Sequence, residues 1–71
     1  MKTNNDFDKR VGQQIRQLRE NKKMTQSELG EKLGVTKTAV CNWESGNRAL
    51  YLDTAKKICK VLDVSLEEIS E

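Results

Sequence analysis

Apolar residues recur along this chain at the spacing of a helix, and this periodicity constrains the fold more than any other feature. Val11, Ile15 and Leu18 lie four and three residues apart, so a helix places them on one face. Comparable spacing recurs in four later segments, and no segment alternates apolar and polar residues as a half-buried strand would. The pattern therefore predicts an all-α chain, a compact bundle of five helices.

Capping residues set the expected helix boundaries. Asp6 or Asp8 would cap the first helix, and Thr36 would cap the third. The segments that begin at Thr25 and Ser65 each have a glutamate three residues later, which is the pattern of a capping box. The predicted helices span residues 7–21, 26–33, about 37–44, about 52–62 and, as a short last helix, the segment that contains Leu66 and Ile69.

The second and third predicted helices have the spacing of a helix-turn-helix. Gly30 has no side chain where the third helix must approach closely, and Gly34 permits the tight turn between the two helices. Val35, Val40 and Trp43 are expected to lock this pair against the first helix. The inward face of the fourth helix is expected to comprise Leu52, Ala55, Ile58, Cys59 and Leu62.

The size of the chain excludes several classes of protein. With 71 residues it is expected to form a single domain, with residues 1–6 flexible, and it has little room for both a substrate pocket and catalytic groups. It contains no histidine, and Cys41 and Cys59 cannot form a four-ligand metal site alone. We therefore expect reduced thiols, no cofactor, no metal and no enzymatic activity.

The chain has no apolar run near 18 residues, and its N-terminus lacks the apolar core of a secretory signal. A cytoplasmic location without membrane contact is expected. No effector domain is expected after Ile69.

Charge is unevenly distributed. The formal net charge is +2, but residues 9–48 carry nine basic and four acidic side chains, a balance of +5. Residues 49–71 carry −2 and residues 1–8 carry −1. A basic body with an acidic tail points to a negatively charged partner for the body.

The sequence of residues 11–19, 24–29, 33–36, 40–46 and 64–69 resembles the helix-turn-helix DNA-binding domains of the phage-repressor and Cro family. The resemblance extends from about Lys9 to Ile69. It implies the five-helix fold of lambda-repressor-like domains and a homodimer that binds double-stranded DNA at a pseudo-palindromic operator.

Within that family a recognition helix, here residues 36–44, enters the major groove. The resemblance implies base contacts by Lys37, Thr38 and Asn42. Their chemistry agrees, since lysine can donate to guanine, asparagine can pair with adenine, and threonine offers a hydroxyl and a methyl group.

Contacts to the DNA backbone are also implied. Gln26, Asn47 and Arg48 match positions that contact phosphates in the family, and Lys22, Lys23 and Arg10 are weaker candidates for the same contact. A further implied feature is a partly buried salt bridge between Arg19 and Glu44, which would orient the recognition helix.

The chain departs from the family after the recognition helix. Many relatives have a proline and then a small hydroxylated cap where this chain has Leu50 and Tyr51. This apolar loop would either pack on the core or contact a second subunit together with Val64, Leu66 and Ile69.

These observations favour a sequence-specific transcriptional regulator. A phage repressor, a restriction–modification controller and a toxin-neutralising autoregulator all remain open within that class. The alternative is a protein-interaction module or antitoxin-like autoregulator whose main partner is another protein.

Overall fold

The computed structural model describes residues 4–70, and the side chains of residues 8–69. Its helices are α1 (Asn4–Asn21), α2 (Gln26–Leu33), α3 (Lys37–Ser45), α4 (Leu52–Leu62) and α5 (Leu66–Ser70). The prediction of five helices and an all-α fold is confirmed, and residues 4–70 contain no strand.

Helix α1 begins earlier than predicted. It starts at Asn4, so Asp6 and Asp8 lie inside the helix and neither is its N-cap. An acidic residue in the first turn is favoured by the helix dipole. Residues 4–6 of the segment expected to be flexible are therefore helical, while residues 1–3 lie outside the described residues.

The core lies where the helices meet. α1 packs against α3 and α5, α2 packs against α3 and α4, and α4 also packs against α5. Gln14 joins α1 to α5 by donating a hydrogen bond from Nε2 to the carbonyl oxygen of Glu68 (3.3 Å). The largest fully buried side chains come from all five helices: Ile15, Leu29, Val40, Ile58, Leu62 and Ile69.

Two residues predicted to be buried are exposed. Val35 is 37% exposed because it lies in the turn, where its backbone contributes instead by donating to the carbonyl oxygen of Gly30 (2.8 Å). Leu52 is 58% exposed because it lies in the first turn of α4, where no neighbouring helix covers it. Helical periodicity indicates the direction of a side chain but not whether a neighbour reaches it.

The turn between α2 and α3 follows the prediction. Gly34 adopts a left-handed conformation (φ 77°). Thr36 caps α3 by accepting a hydrogen bond at Oγ1 from the backbone N–H of Ala39 (3.1 Å). At Gly30 a Cβ atom would lie 2.8 Å from the carbonyl oxygen of Val35, so the turn depends on this glycine.

No helix within residues 4–70 combines the length and apolar character needed for a membrane span.

Candidate nucleic-acid interface

Helix α3 has two distinct faces. Ala39, Val40, Trp43 and Glu44 are buried. The residues predicted to contact bases lie on the other side: Lys37 and Thr38 are exposed in the first turn, and Asn42 is half-buried one turn later. The structure therefore places all three on the side of α3 that is open to a ligand.

The buried face of α3 lies unusually close to α1. A Cβ atom on Gly12 would lie 2.2 Å from the carbonyl oxygen of Trp43 and 2.7 Å from that of Glu44. At the end of α3, a Cβ atom on Gly46 would lie 2.8 Å from the Cα atom of Lys9. Sequence reasoning missed the role of Gly12, because a glycine within a predicted helix does not by itself show which backbone approaches it.

Arg19 and Glu44 form a bidentate pair between α1 and α3. Arg19 Nε donates to Glu44 Oε2 (2.6 Å) and Arg19 Nη2 donates to Glu44 Oε1 (3.1 Å). The side chains are only 8% and 4% exposed. Arg19 Nη1 also donates to the carbonyl oxygen of Met24 (2.6 Å), which ties the α1–α2 turn to the pair. The hydrogen bonds with Glu44 raise the pKa of Arg19, so the guanidinium stays charged.

Gln26 belongs to the same network. It is the first residue of α2, and its Nε2 donates to Glu44 Oε1 (3.0 Å). A capping box fixes the start of this helix, since Thr25 Oγ1 accepts from the Glu28 N–H (3.0 Å) and Glu28 Oε1 accepts from the Thr25 N–H (2.8 Å). The Gln26 amide thus has a fixed orientation and retains a second N–H for another acceptor.

A depression of about 610 Å³ opens in front of Gln26. It is lined by residues of α1, the α1–α2 turn, the start of α2 and the start of α3. Lys23 and Lys37 also line it, so the structure brings together two predicted phosphate contacts, Gln26 and Lys23, and one predicted base contact, Lys37.

The other predicted phosphate contacts lie elsewhere. Lys22 borders a second depression together with Lys32. Arg10 is exposed on α1, and Asn47 and Arg48 are exposed after the end of α3. These four residues do not line the depression in front of Gln26.

Arg16 lines the first depression and was missed by the sequence analysis. The signal that was missed is its spacing. Arg16 precedes Glu20 by four residues and Lys23 by seven, so these charged side chains follow one face of α1 into the turn after it.

The residues predicted to form a dimer interface divide into three groups. Tyr51 is 75% exposed, whereas Leu50, Val64 and Leu66 are partly buried against the core. Ile69 is only 2% exposed, because its side chain packs in the core of the chain. Leu52, which was expected in the core, instead extends the exposed apolar surface beside Tyr51.

Both cysteines are free thiols, with Cys41 exposed on α3 and Cys59 buried on α4. Burial raises the pKa of Cys59, and the nearby charge of Glu68 adds to the shift. Within the described residues, no three side chains of the His, Cys, Asp and Glu types lie together as metal ligands would.

Comparison with known proteins agrees with this geometry. Residues 15–69 match the model of a family described as helix-turn-helix. The chain belongs to the helix-turn-helix family. The resemblance to helix-turn-helix domains of the phage-repressor and Cro type is thereby confirmed.

One curated relative matches most of this chain, whereas this chain matches only a part of that relative. The HTH-type transcriptional activator BcrR of Enterococcus faecalis is 37% identical over 57 residues, which are 80% of this chain and 28% of that protein. This chain therefore spans less than a third of the length of that curated relative.

Two solved structures match over nearly their whole length. The restriction-modification controller protein C.AhdI from Aeromonas hydrophila has a TM-score of 0.89 and 26% identity, with 96% of this chain and 99% of that chain covered. SinR, the master regulator for biofilm formation solved in complex with DNA, has a TM-score of 0.80 and 34% identity. That match covers 86% of this chain and 98% of SinR.

Proposed function

We propose that this chain is the sequence-specific DNA-binding module of a transcriptional regulator and that α3 is its recognition helix. The observation that carries the proposal is the division of α3, with its buried face held against α1 and its polar face open. A major groove admits one helix presented in this way. The relatives are named as regulators, and SinR was solved with DNA. The proposal includes a cytoplasmic location and no catalytic step.

The base contacts are assigned to Lys37, Thr38 and Asn42. Lys37 and Thr38 lie in the first turn of α3, which contains no acidic residue to oppose an approaching duplex. Asn42 follows one turn later, and its side-chain amide makes no hydrogen bond within the described residues. These side chains can read guanine, thymine and adenine edges respectively.

The phosphate contacts are assigned first to Gln26, whose amide is oriented by Glu44 and retains one N–H. Lys23 shares its depression, and Asn47 and Arg48 extend the contact beyond α3. Lys22 and Arg10 are assigned to the edges of the same basic surface. Gln26 and Asn47 are uncharged, and the four cationic contacts would give a slope of about −3.6 per subunit for log affinity against log salt concentration.

A homodimer is proposed through the apolar surface formed by Leu50, Tyr51, Leu52, Val64 and Leu66. A two-fold symmetric pair buries the same patch on both subunits. Its two α3 helices would enter successive major grooves about 34 Å apart, which requires a pseudo-palindromic site.

Selection of bound duplexes from a random pool tests the proposal directly. We expect enrichment of an inverted repeat with half-site centres about 10 base pairs apart. Lys37→Ala and Asn42→Ala should each weaken binding about tenfold and relax the preference at one base position. Arg48→Ala should weaken binding to all sequences similarly.

Lys57→Ala is the matched control, because Lys57 is an exposed lysine on α4 that is not assigned to a DNA contact and lines neither depression. Its affinity should remain within about twofold of the parent after the general effect of one lost charge. Recovery of no motif, together with unchanged binding by Lys37→Ala and Asn42→Ala, would contradict the DNA-reading role and favour a protein partner.

A further inference from the structure

The depression in front of Gln26 contains a carboxylate that a DNA-facing surface does not need. Its lining includes the cations Arg16, Arg19, Lys23 and Lys37 and a single acidic side chain, that of Glu20. Arg19 is already engaged by buried Glu44. Arg16 Nε donates to Glu20 Oε2 (3.2 Å), and these two side chains are 64% and 50% exposed.

Helix stability does not explain the position of Glu20. It lies one residue before the end of α1, where the helix dipole disfavours an acidic side chain. Its pairing with Arg16 has the basic residue four positions N-terminal to the acidic one, which is the less favourable order for such a pair. An exposed pair of this kind contributes little to folding.

The electrostatic effect of Glu20 on an anion is larger. Its Oε2 also lies 3.9 Å from Arg19 Nη2, so the carboxylate is placed among the cations of the depression. A phosphate that enters this depression meets the negative charge of Glu20, and the positive charge of Arg16 is already paired with that carboxylate through Nε. Both effects lower the attraction of the surface for a polyanion.

We propose that Glu20 competes with a DNA phosphate for Arg16 and thereby limits the affinity of the module for duplex DNA. In the bound state Arg16 exchanges the Glu20 carboxylate for a backbone phosphate. Arg16 is thus a further phosphate contact, and Glu20 is the residue that sets its availability. This inference rests on the proposed DNA-binding function.

Neutralising Glu20 provides the test. In Glu20→Gln, affinity for the selected operator duplex and for an unrelated duplex should rise by roughly three- to tenfold. The log–log salt slope between 50 and 200 mM salt should stay close to that of the parent, because Arg16 already binds a phosphate in the parent complex and the number of displaced counterions does not change. Fluorescence anisotropy with labelled duplexes measures both quantities.

Glu67→Gln is the matched control. Glu67 is an exposed glutamate on α5 that lines neither depression. The substitution changes the net charge by the same amount, and its affinity should stay within about twofold of the parent. The double variant Arg16→Gln/Glu20→Gln should lose most of the gain, and its salt slope should be flatter than that of the parent by about 0.9 per subunit, because the contact between Arg16 and a phosphate is absent.

The outcomes separate this inference from the proposed function. If the parent binds its operator but Glu20→Gln gains no more than Glu67→Gln, the competition model is wrong and the DNA-binding role stands. If the gain persists in the double variant, Glu20 acts by general repulsion and not through Arg16, which also overturns the inference. If neither the parent nor Glu20→Gln binds any duplex, both proposals fail.

Discussion

The connections on either side of α3 are built differently. The turn before α3 is fixed by local bonds: Gly34 is left-handed, Val35 donates to Gly30, and Thr36 caps the helix. The segment after it also starts with a left-handed glycine, Gly46, but the N-cap residue of α4, Tyr51, makes no side-chain cap hydrogen bond.

This contrast indicates that the two connections have different roles. The first connection fixes the angle between α2 and α3 from within a few residues. The second closes α3 with a similar pair of backbone bonds, from the N–H groups of Gly46 and Asn47 to the carbonyl oxygens of Trp43 and Asn42, but it provides no side-chain cap for α4. The C-terminal end of α3 is also held against α1, through Gly12 and the Arg19–Glu44 pair. The apolar side chains of Tyr51 and Leu52 are left exposed there. Under the proposed function, the first connection positions the DNA-reading surface, whereas the second provides the exposed apolar surface proposed for the dimer contact.

Removing the ionic anchor should have the largest effect. Arg19→Met leaves the Glu44 carboxylate buried without its cation, which is expected to cost about 3–5 kcal/mol of unfolding free energy. Urea denaturation followed by circular dichroism measures the loss. Because the hydrogen bonds with Glu44 raise the pKa of Arg19, its contribution is complete at neutral pH and is lost only in strongly alkaline solution.

Arg16→Met provides the control for that prediction, because Arg16 is an exposed arginine on the same helix with a carboxylate partner. It should cost at most about 1 kcal/mol. Equal losses in the two variants would show that the end of α3 does not depend on the buried pair.

The steric anchor should come next. Gly12→Ala puts a Cβ atom against backbone oxygens, which cannot move away as a flexible side chain can, so a loss of about 3 kcal/mol is expected. The same substitution at Gly34 meets no atom within 4 Å and is opposed only by the left-handed backbone, so it should cost about 1 kcal/mol. Thermal unfolding of the two variants distinguishes crowding from backbone strain, and a larger loss for Gly34→Ala would contradict this account.

The features of the structure that could be predicted from the sequence are those that depend on neighbouring residues along the chain. Local patterns predicted the Thr25 and Thr36 caps and the Gly34 turn, because each depends on residues within one helical turn. The approach of α1 to α3 at Gly12 and the exposure of Leu52 depend on packing between distant segments. Periodicity carries no information on which helices meet at those points.

Removing the cap of α3 and introducing one at α4 sharpens the comparison between the two connections. Thr36→Ala removes the hydrogen bond to the Ala39 N–H and should cost about 1 kcal/mol. Tyr51→Ser should stabilise by about 0.5–1 kcal/mol, because the backbone of residue 51 already has the extended conformation of an N-cap and lacks only the acceptor. Denaturant titrations give the unfolding free energies. If Tyr51→Ser were no more stable than Tyr51→Ala, the missing hydrogen-bond acceptor would not account for the difference between the two connections.

The smallest expected effect concerns the two thiols. Cys41 should react with a thiol reagent in the folded protein, whereas Cys59 should react only as the fold opens, since it is buried on α4. Because burial raises the pKa of Cys59, its contribution to stability is present below the pKa of an unfolded thiol and is lost as the pH rises further. The unfolding free energy should therefore fall above about pH 9. This fall should be smaller in Cys59→Ala than in Cys41→Ala, and equal falls in the two variants would contradict the role assigned to burial.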